Sequence, residues 1–84
     1  MSVTGLLFLA YLKKNGASSI SDCCLFSGVT NANGTGVKDT LERQGYIQTV
    51  MGEDRRVRIM RITESGIEIY DRITEMLERA TGDF

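Results

Sequence analysis

"YIQTVMGEDRRVRIMRITESG", residues 46–66, decides how the rest of the chain is read. Tyr46, Ile47, Thr49 and Val50 are aromatic or β-branched, the side chains that fit a pleated surface, so residues 46–51 read as a strand. Gly52, Glu53 and Asp54 form a turn signal, and residues 55–62 have strand character again, so the two runs make a β-hairpin. Thr63 then stands where a hydroxyl can cap a helix, with Glu64 in the first turn facing the positive end of the helix dipole. This last helix is expected to run over residues 64–80. The hairpin also gathers Arg55, Arg56, Arg58 and Arg61 into seven positions of a chain whose formal net charge is only −1.

Upstream of the hairpin the pattern is helical. Residues 3–14 are apolar nearly all round, which a solvent-facing helix cannot be, and Lys13, Lys14 and Gly16 supply a cationic last turn and a stop. Ser18, Ser19 or Ser21 can cap a short second helix that ends at Gly28. A third follows, with Thr30 or Asn31 as its cap, Val37 and Leu41 four apart, and Gly45 as terminator. Gly34 and Gly36 in its first turns cost roughly 1 kcal/mol each relative to alanine, so its front is expected to be loose and its start as late as Thr35. Helix, helix, helix, hairpin, helix with short connections is an α+β, mostly helical layout. It is that of a winged helix-turn-helix with a two-stranded wing, in one domain over residues 1–84.

Composition narrows the function. With 42% hydrophobic and 25% charged residues, the chain reads as a soluble globular domain. The run "GLLFLAYL", residues 5–12, falls far short of the ~20 apolar residues that span a bilayer, so a membrane partner is not expected and the protein is placed in the cytoplasm. Cys23 and Cys24 are adjacent and there is no histidine, which argues against a disulfide scaffold, a metal site, a cofactor or a histidine-dependent enzyme. Charge is segregated: up to Ile62 there are eight Lys/Arg against five Asp/Glu, a balance of +3, and from Thr63 onward two against six, a balance of −4. A basic body suits a polyanion, and an acidic last helix is better kept away from it.

The segment "EDRRVRIMRITESG", residues 53–66, resembles the wing of the MarR family of regulators, whose pattern is Asp-x-Arg, a strand, then Leu-Thr-x-x-Gly. Asp54, Arg56, Thr63 and Gly66 match it, with Ile62 for the leucine, and Gly28, Thr30, Val37, Leu41 and Gly45 fit the family's recognition-helix frame. The resemblance covers roughly residues 18–67. It implies a double-stranded DNA-binding regulator in which Arg56 reaches phosphates or the minor groove, Asp54 holds the wing arginines by ion pairing, and Arg55 and Arg58 add phosphate contacts. Without DNA, the same arginines would pair with Glu53, Asp54 and the acidic last helix. Cys23 and Cys24 occupy the family's Leu-Ala pair and read as small buried hydrophobes.

Strand alternation puts Arg56 and Arg58 on one face with Val57 and Ile59 pointing inward on the other, while Met60 and Ile62 fall on the arginine side. That calls either for a bulge or for cover on both faces. On the third helix Gly34, Val37 and Leu41 face the core, and Asn31, Asn33 and Thr35 are candidates for base readout, with Lys38 toward phosphate. Ser18, Ser19 and Thr30, at helix starts, are candidate phosphate contacts. The last helix carries overlapping apolar stripes through Tyr70, Ile73 and Leu77, which together with Leu6 and Leu9 of the first helix suggest a homodimer. The expected function is a sequence-specific, repressor-like homodimer with no enzymatic activity. The alternative is a winged-helix module for protein assembly, and any small-molecule effector is left open.

Overall fold

Each helix in the computed structural model, which describes residues 1–52 and 58–81, opens on a serine or threonine three residues ahead of the backbone N–H that its side-chain oxygen accepts. Ser2 caps α1 (Val3–Asn15), Ser19 caps α2 (Ile20–Ser27), Thr30 caps α3 (Asn31–Arg43) and Thr63 caps α4 (Glu64–Thr81), with donor–acceptor distances of 3.1, 3.2, 3.2 and 3.0 Å. One orphan donor of each first turn is thereby satisfied. The third helix begins at Asn31, so the expected late start at Thr35 does not occur.

The glycine that was expected to loosen α3 instead lets it pack. A Cβ built on Gly34 would lie 2.2 Å from the Cys24 sulfur, far inside van der Waals contact, so only glycine permits α3 to cross α2 this closely. Gly34 and Leu41 are buried on that side of α3, and Val37 is half-buried against the core.

Three strands form one antiparallel sheet in the order β1-β3-β2: Ser18–Ser19, Arg58–Ile62 and Ile47–Met51. The expected two-stranded wing thus gains a third strand, because the chain between α1 and α2 runs extended along the free edge of β3, pairing Ser18 with Met60 and Ser19 with Ile59. The β2–β3 register runs unbroken from Ile47↔Ile62 to Met51↔Arg58, which excludes a bulge within these strands. Met60, central in the sheet, is fully buried and Ile59 on the other face is half-buried, so the second alternative holds: the base of the hairpin is covered on both faces, and more completely on that of Met60. Arg58 shares Met60's parity yet is exposed, since it lies past the end of β1 with only Met51 beside it.

The core is built around α1. Phe8, Leu9 and Leu12 are buried with Cys23, Cys24, Leu41, Ile47 and Met60, one or two side chains each from α2, α3, β2 and β3, and Ile69 and Tyr70 of α4 pack against them partly buried. Leu9 has no exposed surface, so its proposed place at a dimer interface is corrected: it faces inward with Phe8, and half-buried Leu6 is the one of the pair left near the surface. At its far end α1 is tied to α4 by an ion pair of Lys13 with Asp71, and the same ammonium lies 5.2 Å from the centroid of the Tyr70 ring.

Thr63 joins the hairpin to the helices. Its hydroxyl donates to the Gly45 carbonyl at 2.7 Å and accepts from the Gly66 N–H, while its own N–H donates to the Tyr46 carbonyl at 3.0 Å. A Cβ on Gly66 would sit 2.2 Å from that Tyr46 carbonyl oxygen, so the glycine brings the first turn of α4 directly onto the start of β2. Thr63→Ala removes both hydroxyl bonds and should lower stability by about 2 kcal/mol, read as a reduced urea midpoint at unchanged m-value.

Candidate nucleic-acid interface

The outward side of α3 is polar and uncharged over its first half. Asn31, Ala32, Asn33, Thr35 and Gly36 are all exposed, followed by Asp39, Thr40 and Arg43. Helix hydrogen bonding orders the two threonines: Thr35 donates to the Asn31 carbonyl at 2.9 Å and Thr40 to the Gly36 carbonyl at 3.1 Å. The Asn31 and Asn33 amides are exposed, each with a donor and an acceptor at its tip, which is what an adenine edge requires.

Lys38 does not join them. It is buried at 7% relative exposure, one turn beyond Gly34 on the same side of α3, and its ammonium pairs with the Asp39 carboxylate at 2.8 Å. The proposed phosphate contact at Lys38 is therefore corrected. An i+4 offset from a buried glycine puts the stem against the core, and the neighbouring acid neutralises the charge. A cation that the sequence reading did not select, Arg43, is exposed in the last turn of α3. Its outward helical angle was the signal for it.

The helix starts beside α3 divide in the same way. Ser18 is buried in β1 and its hydroxyl donates to the Gly16 carbonyl at 2.9 Å, so it too is corrected from a phosphate contact to a strand residue bonded internally. Ser19 and Thr30 use their oxygens as acceptors for their own caps, which leaves each O–H hydrogen for donation elsewhere. On the hairpin, Arg58 is exposed at the start of β3, and Arg61 is exposed on the opposite face, paired across the ladder with Gln48. Asp54, Arg55 and Arg56 lie outside the described residues.

Behind this surface the two thiols are inert. Cys23 and Cys24 are buried in the core against α1 and α3, and burial, with smaller contributions from Cys24 and Asp22, pushes the Cys23 thiol from its ordinary 9.0 up to about 12. Burial also raises Cys24. Neither thiol supplies a thiolate nucleophile near neutral pH. Among the described residues no three His, Cys, Asp or Glu side chains gather to hold a metal ion, and no helix is long and apolar enough to cross a membrane.

No protein-family model matches the sequence. The chain is 30% identical over 76 residues to an uncharacterized HTH-type transcriptional regulator of Bacillus subtilis, YfiV, a match that takes in 89% of this chain and 48% of that protein. It thus spans about half the length of that curated relative. Among solved structures it superposes on Streptococcus pneumoniae FabT in complex with DNA at a TM-score of 0.82, with 27% identity over 99% of this chain and 58% of that one. It superposes on a MarR family protein from Bacillus stearothermophilus at 0.84, with 20% identity over 99% of this chain and 58% of that one.

The thiols yield a pH prediction. A folded-state Cys23 held above its unfolded value adds nothing to the pH dependence below about pH 9, and its contribution is lost as the unfolded thiol ionises above that. The urea midpoint should fall between pH 9 and 10.5. Cys23→Ala, although less stable at pH 7 because of the cavity it opens, should show a shallower fall over that range.

Proposed function

We propose that this chain, which has the fold of MarR-type winged-helix regulators, binds double-stranded DNA as a homodimeric transcriptional regulator. The observation that carries this reading is the exposed start of α3, where Asn31, Asn33 and Thr35 are all open to solvent in the first turns, beside a hairpin bearing exposed Arg58. A helix of this size fits the major groove, and its first turns are the part that meets base edges in helix-turn-helix docking. The likeness to FabT, which was solved in complex with DNA, supports DNA as the ligand.

In this reading Asn31, Asn33 and Thr35 select the sequence. Arg43, Arg58 and the hairpin arginines Arg55 and Arg56 hold phosphates, and Asp54 orders the hairpin arginines. Ser19 and Thr30 donate their hydroxyl hydrogens to the backbone next to α3. The protein would act by occupying its operator, and no bond-making chemistry is asked of it.

The dimer reading rests on α4. Of its described side chains none is fully buried: Ile69, Tyr70 and Ile73 are half-buried against the body, and Met76 and Leu77, one turn beyond Ile73, are 62% and 52% exposed. A second α4 packed on the same stripe, together with half-buried Leu6 at the surface of α1, would cover it, and a two-fold dimer presents two copies of α3 to half-sites about one helical turn apart.

Fluorescence anisotropy against a random-sequence duplex at several salt concentrations tests DNA binding. Log affinity should fall linearly with log salt, and Arg58→Ala should flatten the slope by about one unit while weakening all duplexes alike. Asn33→Ala should instead relax preference at one base pair by about 1–3 kcal/mol, read by competition among duplexes. Salt-independent or absent binding of the unsubstituted protein would leave a protein-assembly role as the better account. Sedimentation equilibrium should give twice the chain mass of 9.3 kDa, and Met76→Glu should return the monomer with its helical circular dichroism intact.

A further inference from the structure

Gly36 has no reason within the protein to be glycine. It lies in the interior of α3, its φ is not positive, it is exposed, and a Cβ built on it would meet nothing within 4 Å. The contrast with its neighbour two positions back is complete, since Gly34 is required by the Cys24 sulfur at 2.2 Å. An exposed helix-interior glycine that packs against nothing lowers stability relative to alanine. What Gly36 faces is the space in front of α3, between Asn33 one turn before and Thr40 one turn after.

The exposed backbone at Gly36 is also apolar in character. Its carbonyl, already within the helix ladder, takes a further hydrogen bond from the Thr40 hydroxyl at 3.1 Å, so the surface offered outward is the Cα with its two hydrogens. The only apolar group on a base edge in the major groove is the C5-methyl of thymine. Around this point stand asparagine amides suited to adenine, while the lysine of this helix is buried on Asp39 and the first half of the outward face carries no cation to read guanine.

We infer that Gly36 is a specificity-determining close-approach point, at which the backbone of α3 lies against a thymine methyl in an A·T-containing half-site. The inference rests on the DNA-binding reading above. It adds that the missing side chain is itself the recognition element, and that filling it trades sequence-specific affinity for stability.

The test begins by selecting preferred duplexes from a randomised pool with the unsubstituted protein, then compares that protein with Gly36→Ala and Gly36→Ser. Gly36→Ala should raise Tm by about 4 °C, since nothing in the protein opposes its methyl group. Its affinity for the selected duplex should drop about tenfold, with affinity for random duplex and the salt slope unchanged. Replacing thymines singly with uracil, which removes only the methyl, should identify one position where the unsubstituted protein loses a few-fold and where Gly36→Ala regains most of its loss. Gly36→Ser should behave like Gly36→Ala in binding. Equal affinity of the variants and the unsubstituted protein for the selected duplex would overturn the close approach. A drop that no uracil substitution relieves would overturn the thymine assignment. If the unsubstituted protein itself enriches no sequence and shows no salt-dependent binding, the DNA-binding reading fails first and takes this inference with it.

Discussion

The contact of Gly34 with the Cys24 sulfur sets the geometry on which the rest of the molecule depends. It brings α3 onto α2 at backbone distance, which fixes the rotation of α3 about its own axis. Once Gly34 and Leu41 face inward, Thr35 and Gly36 fall on the outward side, since a helix advances 100° per residue, and Asn31 and Asn33 lie exposed on its two flanks. Burying Lys38 is part of the same rotation: it sits one turn from Gly34 and is drawn to the inner side with its charge answered by Asp39. The presented surface of α3 is therefore polar and uncharged at its start, with positive charge moved to its last turn and to the hairpin.

A second constraint links that surface to the sheet and the last helix. The Thr63 side chain and backbone bond to Gly45 and Tyr46, the residues that end α3 and begin β2, and Gly66 stacks the first turn of α4 on the same place. Helix α3, the hairpin and α4 thus meet within a few residues. The start of α4 therefore shares its contacts with the end of α3 and the base of the hairpin together. The charge distribution suits this division, since Glu64, Glu68, Asp71, Glu75 and Glu78 lie on α4, and Arg58 and Arg61 on β3 of the hairpin.

Much of this was legible in the chain because the signals were local. Ser and Thr caps, glycine terminators and the β-branched runs around Gly52 are short-range features whose physics does not need the fold, and the helix order and hairpin follow from them. The readings that failed were those that needed neighbours. A two-residue strand such as β1 has no pattern of its own and exists only because β3 offers it an edge. Alternation states which residues of β3 share a face, and only the packed neighbours decide that the Met60 face is covered more completely than the Ile59 face. Leu9, Lys38 and Ser18 read as surface residues from their places along single elements, and all three are buried once α1, α3 and β1 pack.

What the sequence determined by itself is the inventory: where helices start and stop, that a hairpin lies between the third and fourth, that positive charge collects on it, and that no histidine chemistry is available. What only the tertiary structure decided is the assignment of each glycine and each charge. Gly34 and Gly36 are the same residue in the same helix and look alike in the chain. One is there because a sulfur atom fills the space where its side chain would be, and the other has open space in front of it. That difference is a distance between elements far apart in sequence, and no local rule contains it.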